Sequence, residues 1–248
     1  MKPLADFALP PRCPICGVTV EQDNRFCIDC WHQLNFLAEP WCAACGLPFA
    51  FEHAADSRCA ACLVQPPVHD GVRAVVQYDE RSALIAMRLK YGNRLGLADL
   101  IAEQLQKFIE NGAEDAILVP VPLHRWRLWR RGFNQSVLIG RTLARITGLE
   151  MNCGLIFRNR ITPPLRGMSP RQRRKTVDAA FALRPAASAS LSGRTVLLID
   201  DVYTSGATSN ACARLLKRAG AARVYVFCWA RVIREAEPGQ FSQQAAIA

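Results

Sequence analysis

Eight cysteines fall into four Cys-x-x-Cys pairs near the start of the chain: Cys13 and Cys16, Cys27 and Cys30, Cys42 and Cys45, Cys59 and Cys62. Two thiolates separated by two residues grip one metal ion from a single tight turn, and two such turns complete a tetrahedral four-thiolate site. Four pairs therefore specify two sites. The simplest grouping is sequential, with Cys13, Cys16, Cys27 and Cys30 on one zinc ion and Cys42, Cys45, Cys59 and Cys62 on the other. The spacing also fits a cross-braced arrangement that joins the first and third pairs. A set of disulfides or a redox-active pair is the weaker reading, because redox chemistry needs one such pair and this segment carries four in register. With every ligand a cysteine, no coordination position stays open for substrate. The ions then serve the fold, replacing a hydrophobic core too small to form alone. His53 is superfluous as a ligand and is expected at the surface, whereas Trp31 and Trp41 are expected to pack over the metal-binding turns.

Beyond this segment the chain changes character. Residues 1 to 66 carry four basic and seven acidic side chains, a balance of −3, so of the total charge of +10 the remainder holds +13. Residues 120 to 175 alone hold thirteen Arg or Lys against the single acid Glu150. Such a concentration attracts phosphate, whether on a small molecule or on a nucleic acid, and charge does not separate the two. Half of the 248 residues are apolar, enough to bury a core. No run of about 18 apolar residues exists to span a bilayer. The segment Met1 to Gly17 also lacks the apolar stretch of a secretion signal, so the cytoplasm is the expected location.

Pro66 and Pro67 mark the expected linker between a metal-binding module, 1–66, and a second domain, 67–235, followed by a flexible tail, 236–248. From Gly71 short apolar runs alternate with helix-period stretches, which predicts an α/β domain with a parallel sheet and helices on both faces. Strands are predicted at Val72 to Tyr78, Ile117 to Val121, near Leu155, at Thr195 to Ile199 and at Arg223 to Ala230. Helices are predicted at Ser82 to Tyr91, Leu97 to Asn111, Asn134 to Thr147 and Ala207 to Ala219. Cys153, Cys212 and Cys228 sit among apolar neighbours and are expected in the core.

Residues 196 to 208, VLLIDDVYTSGAT, carry the chemistry. Four apolar residues form a strand buried on both faces, and two carboxylates, Asp200 and Asp201, follow at its carboxyl end, where ligands bind in open α/β sheets. Successive strand residues point to opposite faces, so the two acids cannot act alike on one atom. One is free for a sugar hydroxyl, the other for a second hydroxyl, a magnesium-bound water or a basic neighbour. Thr204, Ser205, Gly206, Ala207 and Thr208 are small or hydroxylated and lead into a helix N-terminus whose free N–H groups suit a phosphate. Turn and cap chemistry explains either half alone; the combination points to a phosphorylated sugar.

These residues resemble the signature of type I phosphoribosyltransferases: an apolar strand, two acids and a Thr/Ser-Gly-x-Thr loop. The resemblance implies that Asp200 and Asp201 address the ribose hydroxyls of phosphoribosyl pyrophosphate, held with magnesium, and that Thr204 to Thr208 hold its 5′-phosphate. With LKYGNRLGLADLIA at Leu89 to Ala102, VPVPLHRWRLWRRGFNQS at Val119 to Ser136 and RNRITPPLRGMSP at Arg158 to Pro170, nearly the whole chain is similar to the competence protein F family and its GntX relatives. The resemblance places pyrophosphate near Pro122, Leu123 and His124, a strand end followed by arginines of which Arg131 is the strongest candidate, and Lys90 is a further contributor. It makes Arg158 to Lys175 a flap that closes over the substrate. There the chain departs from the family pattern TxxQxGLS, with Glu and Asn downstream, carrying Leu165, Met168, Gln172 and Thr176 instead. The resemblance implies transfer of the phosphoribosyl group to an acceptor that no motif here identifies, while the altered flap leaves room for ligand binding with changed or lost acceptor chemistry, as in a sensor of the ligand. The family also implies partners in DNA uptake. Trp126 and Trp129 interleave with arginines in HRWRLWRRGF, a pattern suited to single-stranded DNA unless each tryptophan packs inward.

Overall fold

The structure of the protein, a computed structural model, describes residues 10–92, 94–109, 113, 115–160, 172, 176–185 and 187–233. Seven strands are present among them: β1 (Gly71–Gln77), β2 (Ile117–Pro120), β3 (Glu150–Met151), β4 (Ile156–Arg158), β5 (Phe181–Leu183), β6 (Thr195–Tyr203) and β7 (Arg223–Arg231). The helices are α1 (Ile28–His32), α2 (Ala60–Val64), α3 (Glu80–Tyr91), α4 (Leu97–Leu105), α5 (Arg125–Arg131), α6 (Gln135–Thr147), α7 (Ala187–Leu191) and α8 (Ala207–Arg218). Five strands form one parallel sheet in the order β1-β7-β6-β2-β3. Each parallel step needs a crossover, and the amphipathic helices supply it. Among the described residues no helix is long and apolar enough to cross a membrane.

β6 lies at the centre, paired to β7 on one side and β2 on the other. Its apolar residues alternate between two cores. Val196 and Leu198 pack with Cys212 and Leu216 of α8, whereas Leu197 and Ile199 pack with Ile101 of α4 and with Ile139 and Leu143 of α6. A strand buried on both faces reads as a continuous apolar run, which is why VLLI contains no polar residue.

Helix starts follow their cap residues. The Asp79 carboxylate accepts from Ser82 N–H at 2.8 Å, and the Asp79 N–H in turn donates to the Ser82 hydroxyl oxygen at 2.8 Å, fixing the start of α3. Asn134 caps α6, and Gly148, with φ 76°, ends it.

The expected α/β architecture is present, with four local differences. β6 does not stop at Ile199 but runs through both acids to Tyr203. Residues after β2, expected as a loop, form α5, capped by His124 Nδ1 accepting from Trp126 N–H at 3.2 Å and closed by Gly132 at φ 80°. The weak strand near Leu155 is β4, which pairs antiparallel with β5, a strand the sequence reading did not contain. Cys212 and Cys228 are buried, but Cys153 is exposed, because it lies in the turn after β3.

The metal-binding module packs on the sheet. Gln77 N–H donates to Asn35 O at 2.8 Å and Leu37 N–H to Val75 O at 2.9 Å, so residues 35–37 cover the open edge of β1. Trp31 lies 4.5 Å from the Phe36 ring. Trp41, which bridges Pro48 across the turn that carries Cys42 and Cys45, also packs on the sheet domain, edge-to-face with Phe108 and with the Arg73 guanidinium 4.6 Å away.

Candidate functional site

The cysteines gather as two sequential tetrads, Cys13, Cys16, Cys27, Cys30 and Cys42, Cys45, Cys59, Cys62, with all four sulfurs of each within 4.8 Å of one another. The cross-braced grouping is not the one formed. Cys16 Sγ lies 3.6 Å from Cys27 Sγ, and Cys45 Sγ 3.7 Å from Cys59 Sγ. A disulfide needs about 2 Å. Tetrahedral zinc with bonds of about 2.3 Å separates its sulfurs by about 3.8 Å, so the tetrads fit structural zinc. His53 stands outside both tetrads, exposed, with its ring against Phe49.

Asp200 and Asp201 occupy opposite faces at the carboxyl end of β6. Asp201 turns toward α3 and α6 and is buried. Its Oδ1 accepts from Gln135 Nε2 at 3.0 Å, and its Oδ2 forms an ion pair with Lys90 Nζ. Gln135 Oε1 in turn accepts from Arg131 Nη1 at 2.6 Å, and Arg131 Nη2 donates to Tyr91 Oη at 3.2 Å. The sequence segments around Lys90 and Arg131–Gln135 thus meet in one network on Asp201. Gln135 was not assigned a role from sequence; its presence in the RGFNQ run beside Arg131 was the available signal. Arg131, placed on the sequence with the loop after β2, stands at the far end of α5 from His124 and faces this network.

Asp200 faces the other way, toward the α8 side of the sheet. Burial first, and the neighbouring Asp201 charge second, push its carboxyl well above the usual range. Two like charges in consecutive strand positions repel, and the contacts from Lys90 and Gln135 are made to Asp201, not to Asp200. Arg158 of β4 is also on this side. Burial, followed by the like charge of Arg127, lowers its pKa, while Cys212 and Asp200 oppose the shift.

Three residues beyond β6 the backbone turns through Gly206, which is buried and sits at φ 70° as the N-cap of α8. A side chain at 206 would strain the turn and would also strike Tyr203 Oη, 2.4 Å from an added Cβ. The first helical bond runs from Asn210 N–H to Gly206 O at 2.8 Å, and among the described residues no side-chain cap bond closes the end. The N–H groups of Ala207, Thr208 and Ser209 are thereby left to an external acceptor, with the exposed Thr204 and Ser205 beside them.

Pro122, Leu123 and His124, between β2 and α5, line a cavity of about 1030 Å³ together with Asn134, Arg158 and Arg184. Its charged walls are basic. Asn134 Nδ2 donates to Val121 O at 3.0 Å and so ties the start of α6 to the end of β2. A second cavity, of about 660 Å³, opens between Lys90, Tyr91, Trp126, Arg127, Arg130 and Arg131. Trp126 is 52% and Trp129 83% exposed. Neither tryptophan packs inward. Of the flap positions, Leu165 and Met168 lie outside the described residues, as do 161–171 and 173–175.

Residues 4–63 match the double zinc ribbon domain family and residues 159–242 the phosphoribosyl transferase domain family. The chain is 35% identical over 199 residues to the DNA utilization protein YhgH of Escherichia coli O157:H7, covering 77% of this chain and 84% of that protein. It is 29% identical to Competence protein F of Haemophilus influenzae over 216 residues, 84% of this chain and 91% of that one. Among solved structures, a glutamine phosphoribosylpyrophosphate amidotransferase from B. subtilis aligns at a TM-score of 0.40 and 18% identity, over 58% of this chain and 30% of that one.

Proposed function

The chain belongs to the competence protein F family, and from that premise we propose that its 67–235 domain binds phosphoribosyl pyrophosphate with magnesium at the carboxyl end of β6. The carrying observation is the succession of an acid pair split between two faces and, immediately after it, an uncapped helix start behind a buried left-handed glycine. In this reading the ribose lies at Asp200 and Asp201. The 5′-phosphate accepts from the first-turn N–H groups of α8 and from Thr204, Ser205 and Thr208. Pyrophosphate lies toward Pro122, Leu123 and His124, where the nearby arginines supply charge-assisted donors. Lys90, Gln135 and Arg131 hold Asp201 in place as its positioning network.

Magnesium takes oxygen ligands and is usually held by one or two carboxylates together with substrate phosphates, a requirement the acid pair fits. When bound, it neutralises charge on the diphosphate. Transfer would break the bond between the anomeric carbon and pyrophosphate, which leaves with the bonding electrons, and form a bond from that carbon to an acceptor. The developing positive charge on the sugar must be screened from water, the task of the flap at Arg158 to Lys175. Leu165, Met168, Gln172 and Thr176 depart from the family pattern there, so we place binding before transfer. The cytoplasm is the compartment proposed, since reducing conditions keep the thiols available to zinc.

Calorimetry with magnesium and phosphoribosyl pyrophosphate tests the assignment. Asp200→Ala combined with Asp201→Ala is expected to lower affinity at least about 100-fold, a loss of about 2.7 kcal/mol; an unchanged affinity would remove the acids from the site. Pyrophosphate release on adding candidate acceptors then reports transfer.

A second reading, that the basic face also engages single-stranded DNA, is supported by the exposure of Trp126 and Trp129 among the arginines of α5. Base stacking on an aromatic contributes about 1–3 kcal/mol, and phosphate contacts make binding fall with salt. Trp129→Ala is expected to weaken a salt-sensitive gel shift of single-stranded DNA without altering the affinity for phosphoribosyl pyrophosphate. Binding that ignores both salt and Trp129 would exclude this face.

A further inference from the structure

Arg231, the last residue of β7, is 7% exposed, and among the described residues it makes no ion pair with a carboxylate. Its Nε donates to Cys45 O at 2.7 Å and its Nη2 to Cys45 Sγ at 3.2 Å. A buried guanidinium requires a negative or strongly accepting partner. Here that partner belongs to the second cysteine tetrad, whose four thiolates around a divalent ion carry a net negative charge. Hydrogen bonds of this kind orient and tune metal-bound ligands.

The other side of Arg231 leads to the phosphate loop. Its guanidinium lies 5.9 Å from the ring centre of Tyr203, which it also faces in register across β6 and β7. Tyr203 is buried, its hydroxyl is 3.1 Å from His69 Nε2, and the same hydroxyl fills the space directly beneath Gly206. Cys45, Arg231, Tyr203 and Gly206 therefore form an unbroken series of contacts from a metal ligand to the N-cap of α8. The metal-side end has no slack. Gly46, next to Cys45, sits at φ 67° with its missing Cβ position 2.6 Å from Val72 O, so the turn that carries Cys45 is pressed against β1. The first tetrad is seated differently: Arg88 Nη1 donates to Pro14 O, and the Phe26 ring stacks 6.3 Å from Trp229.

We infer that the second cysteine tetrad is coupled to the phosphate loop through Arg231 and Tyr203, acting as positioning residues, so that metal at Cys42, Cys45, Cys59 and Cys62 sets the loop's affinity for a sugar phosphate. The inference rests on the binding assignment proposed above and adds to it a means by which loss of metal from one site weakens ligand binding. Coupling between two sites is reciprocal: if the metal favours the ligand, the ligand retains the metal by the same factor, commonly about 5- to 150-fold.

The test uses the zinc-loaded full chain and follows release of zinc to a colour-forming chelator, with and without phosphoribosyl pyrophosphate and magnesium. The expected result is two ions per chain, of which one is held at least about 5-fold more tightly against the chelator at equilibrium when the ligand is present, the other being unaffected. Arg231→Lys keeps a buried positive charge but cannot bond the carbonyl and thiolate together while facing the Tyr203 ring. It is expected to keep both ions and lose the protection. Tyr203→Phe keeps the ring, removes the hydroxyl beneath Gly206 and is expected to reduce the protection, which supplies an independent readout should the lysine variant fail to fold. If calorimetry shows ligand binding while both ions keep the same affinity against the chelator, or while both variants retain full protection, the coupling is wrong and the binding assignment stands. Absence of ligand binding overturns both.

Discussion

The metal-binding module and the sheet domain are held together by different means. Around the second tetrad the buried apolar cluster is Cys42, Ala44, Cys45 and Cys62, and three of these four residues are themselves ligands. In the sheet domain β6 alone contributes Val196, Leu197, Leu198 and Ile199 to two extensive cores. A module with so little to bury takes its free energy from coordination, whereas the sheet takes it from desolvating apolar surface at about 25 cal/mol per Å². The difference explains how turns as short as α1 and α2 persist.

The largest effect expected from this contrast follows metal removal. Structural zinc sites in small modules contribute about 10–16 kcal/mol of apparent folding free energy. A strong chelator should therefore make the amides of residues 10–66 exchange rapidly while those of β6 stay protected; equal loss of protection in both would erase the distinction. A core truncation should do the reverse. Ile101→Ala, which removes a fully buried side chain from α4, is expected to cost about 2–5 kcal/mol in denaturant unfolding of the sheet domain with zinc content unchanged. Retained stability would mean that the core collapses around the gap.

The smallest effect lies in pH. Because burial and Asp201 raise Asp200, the folded protein keeps a proton that the unfolded chain has already released between the ordinary carboxylate range and Asp200's raised value. The folded state then binds more protons than the unfolded one, and stability falls as pH rises through that window. Asp200→Asn should flatten this slope in a series of urea melts, whereas an equal slope in the variant would assign it to another group. The same proton must leave when a magnesium-bound ligand needs the carboxylate charged, so ligand binding should release protons, read from the dependence of calorimetric heat on buffer ionisation.

Much of this arrangement was legible in the sequence because it is written in local patterns. The VLLI run announces a strand buried on both faces, Asn134 and Gly148 bracket a helix, and paired cysteines announce metal turns. What escaped was long-range or locally ambiguous. HRWRLWRR has no apolar period to declare a helix, and α5 depends on the His124 cap and the Gly132 stop. Charge at Asp200 and Asp201 suggested that the strand had ended, but parallel pairing with β7 carries it on to Tyr203. Arg131 was read as a pyrophosphate contact because it follows a strand end. Its partners Tyr91 and Gln135 come from other elements and were not predictable from its neighbours. The contact between Arg231 and Cys45 spans 186 positions of sequence, beyond the reach of any local pattern.

The acid pair and the start of α8 are proposed together as a sugar-phosphate site. A crystal structure with magnesium and phosphoribosyl pyrophosphate bound tests it most directly. The account predicts the 5′-phosphate at the N–H groups of Ala207, Thr208 and Ser209, and the ribose hydroxyls at Asp200 and Asp201. A ligand seated in the basic cavity between Tyr91 and Trp126, with the start of α8 left open, would contradict it.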